Sequence, residues 1–348
     1  MSRRVALLTP FAFPSVRGNA VTVARVAAGL RARGVDLGLW DLAVASEATI
    51  AHEVEVFRHD LVHGFHAFRV GPLALRLARR LEVPLVVTLT GTDVNEDLFD
   101  PSRAPIVRRV LEGASRLIVF HGAIADRVTS ALPDLRDRFT VVPQAVTLPR
   151  GEPFPLTDRW PLPASRVLFL FPAGLRAVKR PRLPLAPFDV LTARRPEVRL
   201  LYVGPILDPD EGRALDAALR DRPWAKHLGE VPHQSMRSLL AASDVVLNCS
   251  LSEGGMANSV LEAFATGRAV LASDTEGNRS LVEDGVTGLL FRDGAELITQ
   301  AERLTVEPAL RARLGAAGRS LIERRYPPER EIDGHLDTYR QVVPVAAA

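Results

Sequence analysis

The sequence predicts an α/β protein built from two doubly wound domains, and three observations carry that expectation. Its 348 residues exceed the roughly 100–200 residues that an ordinary domain uses. Short apolar runs bounded by Gly, Pro or Asp alternate with longer stretches of helical period, the pattern of βα units wrapped around a parallel sheet. That alternation is interrupted between Pro143 and Pro163, where Pro149, Pro153, Pro155 and Pro161 also fall and no period is sustained, as expected of a linker.

In the first half, Val5–Leu8 reads as a strand, Asn19–Arg33 as a helix that Gly34 stops, and Val35–Leu42 as a second strand. A less readable stretch follows. Then come strands at Asp60–His63, Pro84–Leu89, Arg116–Phe120 and Thr140–Val142, with a helix near Leu73–Leu81. In the second half, strands are expected at Arg166–Phe171, Val198–Val203, Lys226–Leu228, Asp244–Asn248 and Ala269–Ser273. Helices are expected near Arg182–Arg194, Asp210–Arg220, Gln234–Ser243 and Asn258–Thr266, then at Gly294–Leu304, Pro308–Arg325 and Glu329–Val342. The domains are therefore placed at 1–150 and 164–327, with the segment 328–348 packing back on the first. Ligand is expected in a cleft between the halves, at the carboxyl ends of the strands.

Composition narrows the function classes. The 44 basic and 41 acidic residues leave a net charge of +3, too small an excess to imply nucleic acid as a partner. A single cysteine, Cys249, excludes an internal disulfide framework and a cysteine-rich metal site, and the cytoplasm is the expected compartment. The amino-terminal apolar run ends after four residues at Thr9-Pro10, short of a signal sequence or a membrane span. Two glycosylation sequons, at Asn248 and Asn278, are read as chance matches.

The sharpest motif runs from Asn248 to Phe264. A buried strand enters a glycine loop, Gly254-Gly255-Met256-Ala257-Asn258-Ser259, and then a helix. Such an arrangement presents backbone N–H groups and the positive helix end to an anion, typically phosphate. Glu253 and Glu262 flank the loop. Two carboxylates beside an anion hole suit sugar hydroxyls better than phosphate, because a carboxylate accepts hydrogen bonds and repels a second anion. Directly after the first strand of the second half, Arg176 and Lys179 lie three apart on a strand-to-helix turn. Arg as a planar fork and Lys as a point charge can neutralise a departing diphosphate without a metal. Arg180 and Arg182 are read as solvated.

These stretches resemble glycosyltransferases of the GT4 type, in which two glutamates separated by seven residues bracket such a loop. The likeness extends to Tyr202-Val203-Gly204-Pro205, to His227–Pro232, and to Asp274–Asn278 with Asp284–Phe291. The pattern is closest to the branch of glycosyltransferase 1 domain-containing protein 1, and more distantly like the selenosugar synthases of selenoneine biosynthesis. The resemblance implies a GT-B fold, with two Rossmann-like domains facing a central cleft and a last helix that crosses back. It implies that Arg176 and Lys179 grip the donor pyrophosphate, that Glu253 and Glu276 lie near the donor hexose, and that Glu262 contacts the ribose. Eight residues separate Glu253 from Glu262 here, one glycine more than in the family pattern.

In the first half, Pro14–Ala20 follows the first strand and lacks the GxGxxG spacing of a dinucleotide site. It resembles the family's amino-terminal loop, with Gly18 for close backbone approach and Asn19 at the phosphates or as a helix cap. Thr90, Thr92 and Asp93 sit at a strand end; many family members carry a sugar-contacting histidine where Thr90 stands. His121 is read as a helix start or a lining residue, and His63 and His66 as unconnected with metal. Asp208-Pro209-Asp210 formally matches a metal-binding DxD, and Asp210 is read instead as a helix cap.

The expected function is retaining, metal-independent transfer of a sugar from a nucleotide-sugar donor, a UDP-sugar favoured, to an unidentified acceptor, with no cofactor. Two other readings stand beside it: a UDP-sugar 2-epimerase of the same fold, and a nucleotide-sugar-binding protein without turnover. Arginines recur at 25, 31 and 33, at 76, 79 and 80, and at 108 and 109; they are read as solvated helix faces, with weak peripheral membrane contact as the functional alternative.

Overall fold

The computed structural model describes residues 4–12 and 18–343. Pro14-Ser15-Val16-Arg17 of the expected amino-terminal loop lies outside the described residues. The chain divides into two compact units, Met1–Ala145 with Pro328–Ala348, and Val146–Pro327.

The first unit carries six strands: β1 (Arg4–Thr9), β2 (Asp36–Asp41), β3 (Leu61–Phe65), β4 (Leu85–Thr88), β5 (Arg116–Val119) and β6 (Phe139–Val141). They pair throughout in parallel, in the order β2-β1-β3-β4-β5-β6. β3 and β4 are buried along their whole length, as strands of a parallel sheet covered on both faces are. Helices α1 (Gly18–Ala32), α2 (Glu47–Val56), α3 (Gly71–Leu81), α4 (Ala104–Gly113) and α5 (Gly122–Ala131) connect them. In α3 the spacing does what a helix needs: Leu73, Ala74, Leu77 and Ala78 are buried on one face, three to four apart.

The second unit opens with irregular chain and a short helix, α6 (Leu156–Arg159). Its sheet contains β7 (Val167–Pro172), β8 (Val198–Val203), β9 (Ala225–His227), β10 (Val245–Asn248), β11 (Ala269–Ser273) and β12 (Leu289–Phe291). These too are all parallel, in the order β12-β11-β10-β7-β8-β9. α7 (Leu185–Arg194), α8 (Pro209–Leu219), α9 (Met236–Ala242), α10 (Asn258–Ala265), α11 (Glu276–Arg279), α12 (Gly294–Val306) and α13 (Pro308–Arg325) complete it. The proline-rich stretch is bonded to this unit: Phe154 N–H donates to Ser238 Oγ (2.8 Å) and Arg237 to the Leu148 carbonyl (2.8 Å).

After the second unit the chain returns to the first as α14 (Pro328–Val342). Glu331, fully buried, takes a two-point ion pair from Arg25 of α1 at 2.6 and 2.8 Å. His63 of β3 hydrogen-bonds Tyr339 through Nδ1 (2.7 Å) and Thr88 through Nε2 (2.8 Å). His335 packs between them, its two ring nitrogens buried and without a partner among the described residues. Arg25 is thus an anchor for α14, contrary to its reading as solvated. Arg33, Arg76 and Arg80 are solvent-exposed and pair at the surface with Asp333, Glu47 and Glu55. No helix among the described residues is long and apolar enough to cross a membrane.

Burial holds the His335 pKa down at about 4, against the opposing pull of the Glu331 carboxylate, and burial with the neighbouring His335 ring holds the His63 pKa well below its ordinary value. Both rings are neutral in the folded state and gain protons readily when unfolded. The stability this represents is complete above the unfolded histidine pKa of about 6.5 and is lost as pH falls from there toward 4. His335 alone accounts for roughly 3 kcal/mol of that loss. Urea unfolding at pH 7 and pH 4.5 is expected to show the decline, and His335→Leu to flatten it; an unchanged slope in that variant contradicts the assignment.

Candidate active site

A parallel sheet opens a crevice at its carboxyl edge where the strand order reverses. In the first unit this point lies between β1 and β3, and in the second between β10 and β7. Most of the residues singled out in the sequence stand in the loops at these two edges.

In the first unit, His66 follows β3 in a left-handed conformation, φ 91°, strained for any residue with a Cβ. The strain is held by bonds on every side. Nδ1 accepts from the backbone N–H of Phe68 and Arg69, both at 3.2 Å, so the ring proton is on Nε2 and is donated to Thr92 Oγ1 at 2.8 Å. Asp93, fully buried, accepts from the backbone N–H of Ala67 (2.9 Å), Thr90 (3.1 Å) and Gly91 (2.7 Å). This carboxylate therefore ties together the loops after β3 and β4. Asn19 donates to Thr90 Oγ1 at 3.2 Å. It lies inside α1, which starts at the exposed Gly18, so its amide reaches across to β4 and does not cap the helix. His121 occupies the cap position of α5 without a side-chain cap bond.

In the second unit, the chain leaving β7 is held against the chain leaving β8. Ala173 N–H donates to the Val203 carbonyl (2.9 Å) and Leu175 N–H to Pro205 (2.8 Å). Gly204, at φ 146°, allows that approach. The helical turn Ala177–Lys179 follows, and Arg176 at its start is exposed, with no side-chain partner among the described residues. Arg180 is not solvated: its guanidinium donates to the Cys249 carbonyl at 2.7 Å. With Leu251 N–H bonded to the Val178 carbonyl (2.8 Å), it ties this turn to the loop after β10. Arg182 pairs with Glu211 on the surface.

That tie brings Lys179 and Glu253 together. Lys179 Nζ lies 2.6 Å from Glu253 Oε1 and 3.2 Å from Ser250 Oγ. The same carboxylate oxygen accepts from Ser250 Oγ (2.6 Å) and Asn248 Nδ2 (3.0 Å). Burial alone would raise the Glu253 pKa; the Lys179 charge and the bonds from Lys179, Ser250 and Asn248 outweigh it and hold the carboxyl below its usual range. Beneath lie buried Asn278 and Ser273, linked to Asn248 and the Ser250 carbonyl. Both sequon asparagines are thus buried in this network.

Beyond the loop, α10 begins at Asn258 with Ala257 as its cap residue, which has no side-chain oxygen to offer the first-turn N–H groups. Gly255, Met256 and Ala257 are buried; Gly254, Asn258 and Ser259 are partly exposed, and Ser259 Oγ accepts from Asn248 at 3.2 Å. Glu262, 8% exposed, lies 3.0 Å from His233 Nε2. His233 escaped the sequence reading, though it directly follows the Val231-Pro232 turn that the family pattern had flagged. Glu276 opens α11 and is partly exposed, and Gly277 presses on Glu253. Asp208, not Asp210, caps α8, accepting from the N–H of Asp210 and Glu211. Pro209 takes the first helical position, where its missing N–H costs nothing, and so the cap falls at Asp208, two residues before the expected one. Among the described residues no group of three or more His, Cys, Asp or Glu is placed to hold a metal ion.

A methyl group on Gly277 would stand 2.5 Å from Glu253 Cβ and 3.0 Å from the carbonyl oxygens of Glu253 and Gly255. Gly277→Ala is therefore expected to displace the Glu253 loop and to destabilise the fold by roughly 1–3 kcal/mol, the usual cost of overpacking. A thermal melting midpoint equal to the parent's contradicts the placement.

Comparison with known proteins gives this geometry a context. The family described as "Glycosyl transferase 4-like domain" matches residues 4–145, and "Glycosyl transferases group 1" matches residues 166–306. Glycosyltransferase 1 domain-containing protein 1 of Xenopus tropicalis is 26% identical over 94% of both chains. A D-inositol 3-phosphate glycosyltransferase of an Arthrobacter species is 31% identical over 75% of this chain and 65% of its own length. Among solved structures, Anabaena HepE in complex with UDP and glucose has a TM-score of 0.81 at 16% identity, covering 97% of this chain and all of that one. Sucrose-phosphate synthase from Thermosynechococcus elongatus has a TM-score of 0.76 at 19% identity, covering 97% and 98%. With both units matched by these family descriptions and the fold shared with GT-B enzymes, the chain belongs to the GT4-type glycosyltransferases.

Proposed function

We propose that the enzyme transfers a hexose from a UDP-sugar to a hydroxyl-bearing acceptor with retention of configuration and without a metal ion. The observation that carries this reading is the charge arrangement at the carboxyl ends of β7 and β10. There Arg176 stands exposed and, among the described residues, unpaired beside Lys179, next to a loop that ends in a helix start without a side-chain cap. A diphosphate there meets a guanidinium, an ammonium and backbone N–H groups, enough positive character to take up leaving-group charge. Glu262 with His233 is the expected ribose contact, and Glu253 and Glu276 the expected hexose contacts. Preference for uridine rests on the fold neighbours, which include complexes with UDP and with UDP-glucose.

Retention is what the likeness to GT4 enzymes implies, and the site bears on how it would be reached. The Glu253 carboxylate is engaged by Lys179, Ser250 and Asn248, which makes it a poor nucleophile. The acceptor then attacks from the face the diphosphate leaves, and a leaving phosphate oxygen takes the acceptor proton. The first unit supplies the acceptor side, with Thr90, Thr92, Asn19 and Gly18 as the expected contacts and Asp93 as the brace of that loop.

The test is Arg176→Ala. Loss of transition-state charge stabilisation is expected to lower kcat by roughly a hundredfold or more with little change in thermal stability. A near-normal turnover in this variant, measured with the best donor of a UDP- and GDP-sugar panel, contradicts the reading. Epimer formed from UDP-GlcNAc without acceptor would instead assign the fold to 2-epimerase chemistry.

A further inference from the structure

The two cations of the β7 turn are not equivalent. Arg176 is exposed and unpaired among the described residues, whereas Lys179, only 17% exposed, is already neutralised by Glu253, 10% exposed. A phosphate oxygen bonded to Lys179 at ordinary distance would come within a few ångströms of the Glu253 carboxylate. Inside a largely dry loop, two anions at that separation repel strongly. Gly277 presses on the Glu253 Cβ from behind, and Ser250 and Asn248 fix Oε1, so the carboxylate is not free to swing away.

The consequence differs for the two ends of the reaction. An intact nucleotide sugar brings hydroxyl donors, which can satisfy the carboxylate and offset its charge. A spent nucleoside diphosphate brings an additional negative charge and no hexose hydroxyls. We propose that Glu253 is a product-release device: held on Lys179, it discriminates the sugar-bearing donor from the bare nucleoside diphosphate and expels the latter after transfer. This inference rests on the reading that Arg176 and Lys179 hold the diphosphate, and goes beyond a role for Glu253 as a hexose contact.

The experiment is calorimetric titration of the full chain with UDP and, separately, UDP-glucose. In the parent, UDP is expected to bind more weakly than UDP-glucose; tighter binding of UDP overturns the proposal without any variant. In Glu253→Gln and Glu253→Ala, each checked for folding by thermal melting, UDP is expected to bind roughly tenfold tighter, as removal of a facing like charge allows. UDP-glucose is expected to gain nothing, so the ratio of the two dissociation constants inverts. A carboxylate that serves only as a hexose contact leaves UDP affinity unchanged, and a purely structural one weakens both ligands; either result overturns the proposal. Arg176→Ala and Lys179→Met separate the underlying reading: if neither weakens UDP, the diphosphate site itself is misplaced. If both weaken it while the Glu253 variants do not tighten it, only the release device fails.

Discussion

The parallel pairing of β7 with β10 is the constraint on which the site in the second unit depends. Val245 stands opposite Phe169 and Val246 opposite Leu170, so segments some 75 positions apart in sequence leave the sheet side by side and in the same direction. Strand order reverses between these two strands, the point at which a parallel sheet opens a crevice at its carboxyl edge. Everything chemical in the second unit follows from that adjacency. The turn that carries Arg176 and Lys179 and the loop that carries Glu253 are neighbours because their strands are, and Arg180 locks them by bonding the Cys249 carbonyl.

The arrangement carries an electrostatic cost that the fold manages locally. A buried carboxylate is unfavourable unless it is paired and hydrogen-bonded. Glu253 meets that requirement with one ammonium, one hydroxyl and one amide on a single oxygen. The first unit uses the same solution twice: Asp93 collects three backbone N–H groups, and Glu331 takes the Arg25 fork beneath α14. In each case the polar group holds in place segments that apolar packing by itself would leave free to slide.

Much of this was legible in the sequence because parallel strands buried on both faces read as unbroken apolar runs. β8 and β11 coincide with their expected spans, and α13 with its own. The loops at the strand ends announced themselves through Gly, charged residues and spacing. What stayed hidden did so for physical reasons. α2 buries only Ile50 and Val54, too narrow a stripe to declare a helix, although Ser46 caps it. β12 is three residues long and takes its stability from β11. Arg25 and Arg180 looked like solvated arginines because their partners lie 306 and 69 residues away. Pairings such as His233 with Glu262 or His66 with Thr92 depend on which loops meet, and that is a property of the topology.

The account stands on a nucleoside diphosphate occupying the β7/β10 edge. Amide hydrogen exchange with and without saturating UDP, resolved by peptide, tests this most directly. Protection is expected at 173–180 and at 249–262, with the α12 and α13 peptides unchanged. Protection confined to other segments, or none in the presence of bound UDP, would contradict it.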